Sequence, residues 1–228
     1  MKSTLCSLLT TSLIAACGPA YHSRSEEVGL APSSGVVFGQ QAHSPLDDRV
    51  LGESSTAFPK LSLGKNYIVL IAAYDDVKQL SKAAGFSGHY GHIEVVRNGL
   101  VYGCRPPQCD QMNIAELQRE FRGVPYEIRE IEINGNAEKA VAWFRIYLRG
   151  TKYNLFYNNC TDAVVRMYEA SGDKTLRVPP VMVDEIYATN EQLRDFMQSH
   201  GIPKPKRQMV WFPDQFENLG KLVGRGVF

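Results

Sequence analysis

The chain has 228 residues and a formal net charge of +1, with 25 Lys and Arg against 24 Asp and Glu. That balance gives no basic excess of the kind that marks a nucleic-acid binder. Hydrophobic residues make up 44% and charged residues 21%, which suits one globular domain with a sizeable core.

Residues 1–16 carry Lys2 and a short apolar run through Leu8, Leu9, Leu13 and Ile14. They read as a secretory signal, too short for a spanning helix. Ile14-Ala15-Ala16 before Cys17 resembles a bacterial lipobox. The resemblance implies cleavage before Cys17, diacylation of its thiol and a membrane anchor. An ordinary signal with an incidental cysteine is the alternative. Gly18 in place of aspartate implies, by the same resemblance, an outer-membrane lipoprotein facing the periplasm. Residues 17–61 are rich in Ser, Gly, Pro and acids without regular periodicity, and are expected to be a flexible tether. The folded domain is expected over 62–228.

The domain opens with a continuously apolar run over 66–74, which predicts a central strand. Asp75 can cap a short helix ending near Gly85. Asn98-Gly99 between two apolar runs signals a tight hairpin with His92 at the start of its first strand. Asn113 with Glu116 forms a capping box for a helix stopped by Gly123. The alternation over 126–133 predicts a strand, with Ile128, Ile131 and Ile133 on one set of positions. Asn136 starts a helix with Ala140, Val141, Phe144 and Leu148 on one side, stopped by Gly150. A further helix is expected over 190–200 with Gly201 as its stop, and a strand over 209–212. The order of elements gives an α+β domain with an antiparallel sheet.

Between these lies Tyr153-Asn154-Leu155-Phe156-Tyr157-Asn158-Asn159-Cys160-Thr161-Asp162. Asn159 is a good N-cap, Asp162 suits the third helical position, and Gly172 is a natural stop. Cys160 therefore sits on the first turn of a helix. Unpaired N–H groups and the positive end of the dipole there favour a thiolate and, later, an oxyanion. A buried, inert cysteine is the competing reading. His92 at a strand start, preceded by Gly91, could meet that thiol across a sheet–helix interface, which is the layout of a thiol–imidazole pair.

Gly91-His92-Ile93-Glu94-Val95-Val96, followed downstream by Tyr153-Asn154 and Asn159-Cys160, resembles the circularly permuted papain-like hydrolases. That group includes the permuted NlpC-type cell-wall peptidases and the lecithin:retinol acyltransferase relatives. In ordinary members the cysteine helix precedes the histidine strand; here the order is reversed, as in permuted members. The likeness covers about residues 67–187, and Val178-Pro179-Pro180 is similar to the proline-containing segment that follows the cysteine helix. The resemblance implies a papain-like sheet packed against the helix that carries Cys160. It also implies a hydrolase in which Cys160 is the nucleophile and His92 the base, with no metal or organic cofactor.

The group orients its imidazole with a polar residue, often a His or Glu about a dozen positions after the histidine. This chain has Gly103, Cys104 and Arg105 there instead. Glu94 shares a strand face with His92 by period two and is one candidate orienter. A solvent-facing or Arg105-paired acid is its alternative, and Asp110 is another candidate orienter. The Cys160 backbone N–H, with Asn158 or Asn159, would face the oxyanion. His89 is a competing base. Among the cysteines, Cys104 and Cys109 flank a four-residue turn that could close as a disulfide, leaving Cys160 unpaired. A metal site at Cys104 and Cys109 lacks a second pair of ligands.

The expected function is a cell-envelope thiol hydrolase cleaving an amide in peptidoglycan peptides. The alternatives are an ester or thioester hydrolase or acyltransferase on a lipid-like substrate, and a binding lipoprotein without activity.

Overall fold

A computed structural model describes residues 58–228 apart from 74 and 200. The signal, Cys17 and the tether up to residue 57 lie outside the described residues. The first strand, β1 (Asn66–Ala72), is buried along six of its seven positions. Each large apolar side chain so buried contributes roughly 1.5–3 kcal/mol over leaving it in water. A strand of this composition belongs between two others. It pairs antiparallel with β2 (Tyr90–Arg97) on one side and β5 (Pro125–Ile131) on the other.

Helix α1 (Asp75–Ala83) connects β1 to β2. The β2–β3 hairpin turns at Asn98 and Gly99, both at positive φ, and pairs Arg97 with Leu100 of β3 (Leu100–Arg105). This is the turn and register that Asn-Gly dictates. A second hairpin leads to β4 (Gln108–Asn113), a strand that carries no strong sequence signal. Asn113 then caps α2 (Ile114–Glu120) in a reciprocal box with Glu116. The segment after β5 enters α3 (Ala137–Trp143), capped by Asn136 and continued as a π-helical turn over Phe144–Leu148.

Helix α4 (Cys160–Ser171) follows the long loop. Beyond it, β6 (Val181–Met182), α5 (Val183–Thr189), α6 (Glu191–Ser199) and β7 (Met209–Val210) form a small outer layer with α1. Only two residues of the expected strand over 209–212 are extended, paired with β6. After a 3₁₀ turn (Pro213–Phe216), β8 (Lys221–Val227) joins the sheet edge beside β5. The sheet order is β4-β3-β2-β1-β5-β8 and its pairings are antiparallel. The domain is thus α+β with an antiparallel sheet.

Cores lie on both faces of the sheet. On one, Ala163, Val164, Met167 and Tyr168 of α4 pack against Ile93, Val95 and Tyr102, together with Phe144 and Leu148. On the other, Val96, Val101, Leu117, Phe121, Tyr126 and Ile128 form the second cluster, joined by Phe58, Leu61 and Phe228. Phe58 and Leu61 belong to the packed unit, which therefore begins ahead of the expected residue 62. Their apolar side chains cover a sheet face that would otherwise meet water. No helix among the described residues is long and apolar enough to cross a membrane.

Candidate active site

Asn159 adopts an extended conformation and its Oδ1 accepts the Asp162 N–H at 2.8 Å, so Cys160 becomes the first residue of α4. The helix ends at Gly172, whose φ of +85° is the left-handed stop that glycine supplies without strain. Cys160 is buried and is the free cysteine among the described residues. Cys104 and Cys109 are joined by a disulfide across β3 and β4.

His92 pairs with Ile71 of β1, just after a bulge at Gly91 that shifts the register between Ile71 and Ala72. The β2–β3 ladder runs over Val95–Arg97 and Leu100–Tyr102. Toward the other end of the hairpin the two strands part, and His92 and Glu94 lie on the parted section of β2. The His92 imidazole lies beside the Cys160 thiol, close enough for the two to interact electrostatically. Its Nε2 lies 2.7 Å from Glu94 Oε1, and Phe121 stacks on the ring with centroids 5.3 Å apart. Burial alone would lower the His92 pKa. Its electrostatic interactions with Cys160 and Glu94, and its hydrogen bond to Glu94, outweigh that and push it up to about 10.

Glu94 is fully buried. Its Oε1 also accepts Arg105 Nη1 at 3.1 Å, and Arg105 Nε donates to Glu120 Oε2 at 3.0 Å. Glu94 Oε1 therefore faces His92 and Arg105 together, and burial rules out the solvent-facing alternative. Asp110 is elsewhere: it accepts Arg149 Nε at 3.0 Å at the surface edge of β4. His89 is also turned away, with Nδ1 3.6 Å from Glu217 Oε2.

The two asparagines are placed differently from the oxyanion role expected of them. The Asn159 side chain caps α4, accepts Thr161 Oγ1 at 2.7 Å and donates to Leu155 O at 2.9 Å. Asn158 takes a left-handed φ of +52°, and its Oδ1 accepts Arg166 Nη1 at 3.4 Å. The backbone of both residues lies close enough to the Asp162 carboxylate to oppose the rise in its pKa that burial causes. At the start of α4 the Cys160 N–H precedes the capped Asp162 N–H and has no partner within the helix. Tyr153, visible in sequence only as an aromatic beside the loop, stands close enough to Cys160 and Asp162 to feel their charge. Burial, then those two charges, raise its phenol well above the usual range.

His89, Asp214 and Glu217 form a cluster with the spacing of metal ligands. The Asp214 carboxylate, however, accepts Ser87 Oγ at 2.7 Å, the His89 N–H at 2.8 Å and the Tyr90 N–H at 3.1 Å, as well as Ser81 Oγ. A carboxylate filled by four protein donors acts as a brace for the loop entering β2, and it is a poor metal ligand.

Comparison with family models, curated proteins and solved structures finds no match to the chain.

Proposed function

We propose that the protein is a papain-like thiol hydrolase of the cell envelope that cleaves an amide bond, with peptidoglycan peptides as the substrate. The observation that carries this reading is the row Cys160, His92 and Glu94, in which a thiol on a helix N-terminus lies beside an imidazole hydrogen-bonded to a buried carboxylate. Such a row has the parts of nucleophilic acyl transfer in their working order.

In the proposed reaction the Cys160 sulfur attacks the carbonyl carbon, and the C=O electron pair moves onto oxygen. The Cys160 N–H at the start of α4 stabilises that oxyanion. His92, protonated by the thiol, gives its proton to the leaving nitrogen as the C–N bond breaks and an acyl-thioester remains. A water then attacks the thioester while His92 takes its proton. The carboxylate product leaves and the proton returns to the Cys160 sulfur. Glu94 orients the imidazole throughout. The envelope setting rests on the lipobox-like Cys17 and on the resemblance to permuted NlpC-type peptidases.

The test compares wild type, Cys160→Ala and His92→Ala, purified in mild detergent, for digestion of purified peptidoglycan with mass analysis of released fragments. Release by wild type and its loss in both folded variants is the expected result. No release from wild type, with Cys160 alkylating only on unfolding, would overturn the thiol-hydrolase reading. Silence toward peptidoglycan with fast alkylation of folded protein would reject that substrate and direct the search to acyl esters and thioesters.

A further inference from the structure

We propose that Arg105 is a positioning residue for Glu94, and that the disulfide-closed turn between β3 and β4 is built to hold it. The inference rests on the proposed reading of the Cys160–His92 pair.

A glutamate on a strand has three side-chain torsions and no intrinsic reason to aim one oxygen at a neighbour two residues away. Two features of β3 remove that freedom. The first is Gly103: a Cβ there would stand 1.6 Å from Glu94 Oε2, so the carboxylate occupies the space that a side chain would fill. The second is Arg105, next on the same face by period two, whose Nη1 reaches Glu94 Oε1. Its guanidinium is itself tied by Nε to Glu120 at the end of α2. A planar fork holding two carboxylates in fixed directions is a task for which arginine is suited and lysine is not.

The turn that carries Arg105 is constrained from both sides. Cys104 and Cys109 face each other in the β3–β4 register and are disulfide-bonded, enclosing residues 105–108. Both cysteines are fully buried. The far side of this turn grips the segment leading to the nucleophile. Cys109 N–H donates to Thr151 O at 2.9 Å, Gly150 N–H to Cys109 O at 2.7 Å, and Tyr153 N–H to Pro107 O at 3.0 Å. One short turn therefore locates the carboxylate behind His92 and the loop that delivers Cys160. A disulfide placed for stability alone would have no need of either connection.

The test uses the full chain and a readout that general stability does not move, the ring N–H resonance of His92. In wild type the Nε2 proton is held against Glu94 and should give an exchange-protected downfield signal, identified by its loss in His92→Ala. Arg105→Gln should abolish the signal and slow Cys160 alkylation at pH 7 by about ten- to a hundredfold, the usual cost of losing an outer orienting partner. Folding is checked by an unchanged far-ultraviolet spectrum. Cys104→Ala/Cys109→Ala should do the same while leaving Arg105 in the chain. An Arg105→Gln protein that keeps both signal and rate would overturn the proposal, whether or not the double variant folds. If wild-type Cys160 does not alkylate, the proposed function fails, and the resonance still decides the role of Arg105.

Discussion

Glu94 Oε1 lies 2.7 Å from His92 Nε2, two residues earlier on the same strand, in a site from which Glu94 is wholly shielded from water. Period two puts both side chains on one face of β2, and Gly103 and Arg105 of β3 fix the carboxylate there. Replacing Glu94 by Gln keeps the shape and can still accept one hydrogen bond, but removes the charge that holds the imidazolium. The expected result is a loss of at least about tenfold in Cys160 alkylation and in hydrolysis, with the fold intact. Rates beside a thermal melt check it.

Gly103→Ala should act through Glu94. The new methyl would overlap the Glu94 carboxylate, which must leave its place or force β3 outward. Overpacking of this kind costs about 1–3 kcal/mol. The informative outcome is a loss of rate comparable with that of Glu94→Gln, measured beside the denaturation midpoint.

The raised His92 pKa gives stability a pH dependence of definite sign. At pH values below the ordinary histidine pKa, near 6.5, the ring is protonated in both folded and unfolded chains, and its contribution is fully present. As pH rises from there toward about 10 the unfolded chain gives up its proton and the folded one retains it, so stability is progressively lost. Denaturant titrations between pH 6 and pH 10 should show this decline, with a shallower one in His92→Ala. In Cys160→Ala the contribution of Cys160 that raises the His92 pKa is gone while burial still lowers it, so the His92 titration should move down. A ring-resonance titration reads this directly.

Asn159→Ala removes the cap of α4 together with the links to Thr161 and Leu155. Caps of this kind are worth about 0.5–2 kcal/mol. A lower melting temperature and slower alkylation are expected together, because the first turn that fixes Cys160 frays. An unchanged melt would show that the other contacts of the turn hold it without the Asn159 side chain.

How much of this was legible beforehand divides along the range of the forces. The Asn98-Gly99 turn, the capping box of Asn113 with Glu116, the Asn159 cap and the Gly172 stop each depend on bonds within a few residues or on a single positive φ. Local sequence determines those, and so it placed His92 at a strand start and Cys160 at a helix start. The burial pattern of β1 likewise announced the centre of the sheet.

Only the tertiary structure decided what surrounds the pair. Strands β4 and β8 are polar or glycine-rich and exist because β3 and β5 offer them partners. Asp110 and Glu94 were both candidates for orienting His92; Arg149 draws one outward, and the parted hairpin with Gly103 admits the other. The side chains of Asn158 and Asn159, expected at the oxyanion, are drawn into the turn beneath α4, to Leu155, Asp162 and Arg166. Phe121 above His92 and Tyr153 beside Cys160 arrive from separate segments. Contacts of this kind carry no local signature, because they are set by which surfaces remain to be covered once the sheet has formed.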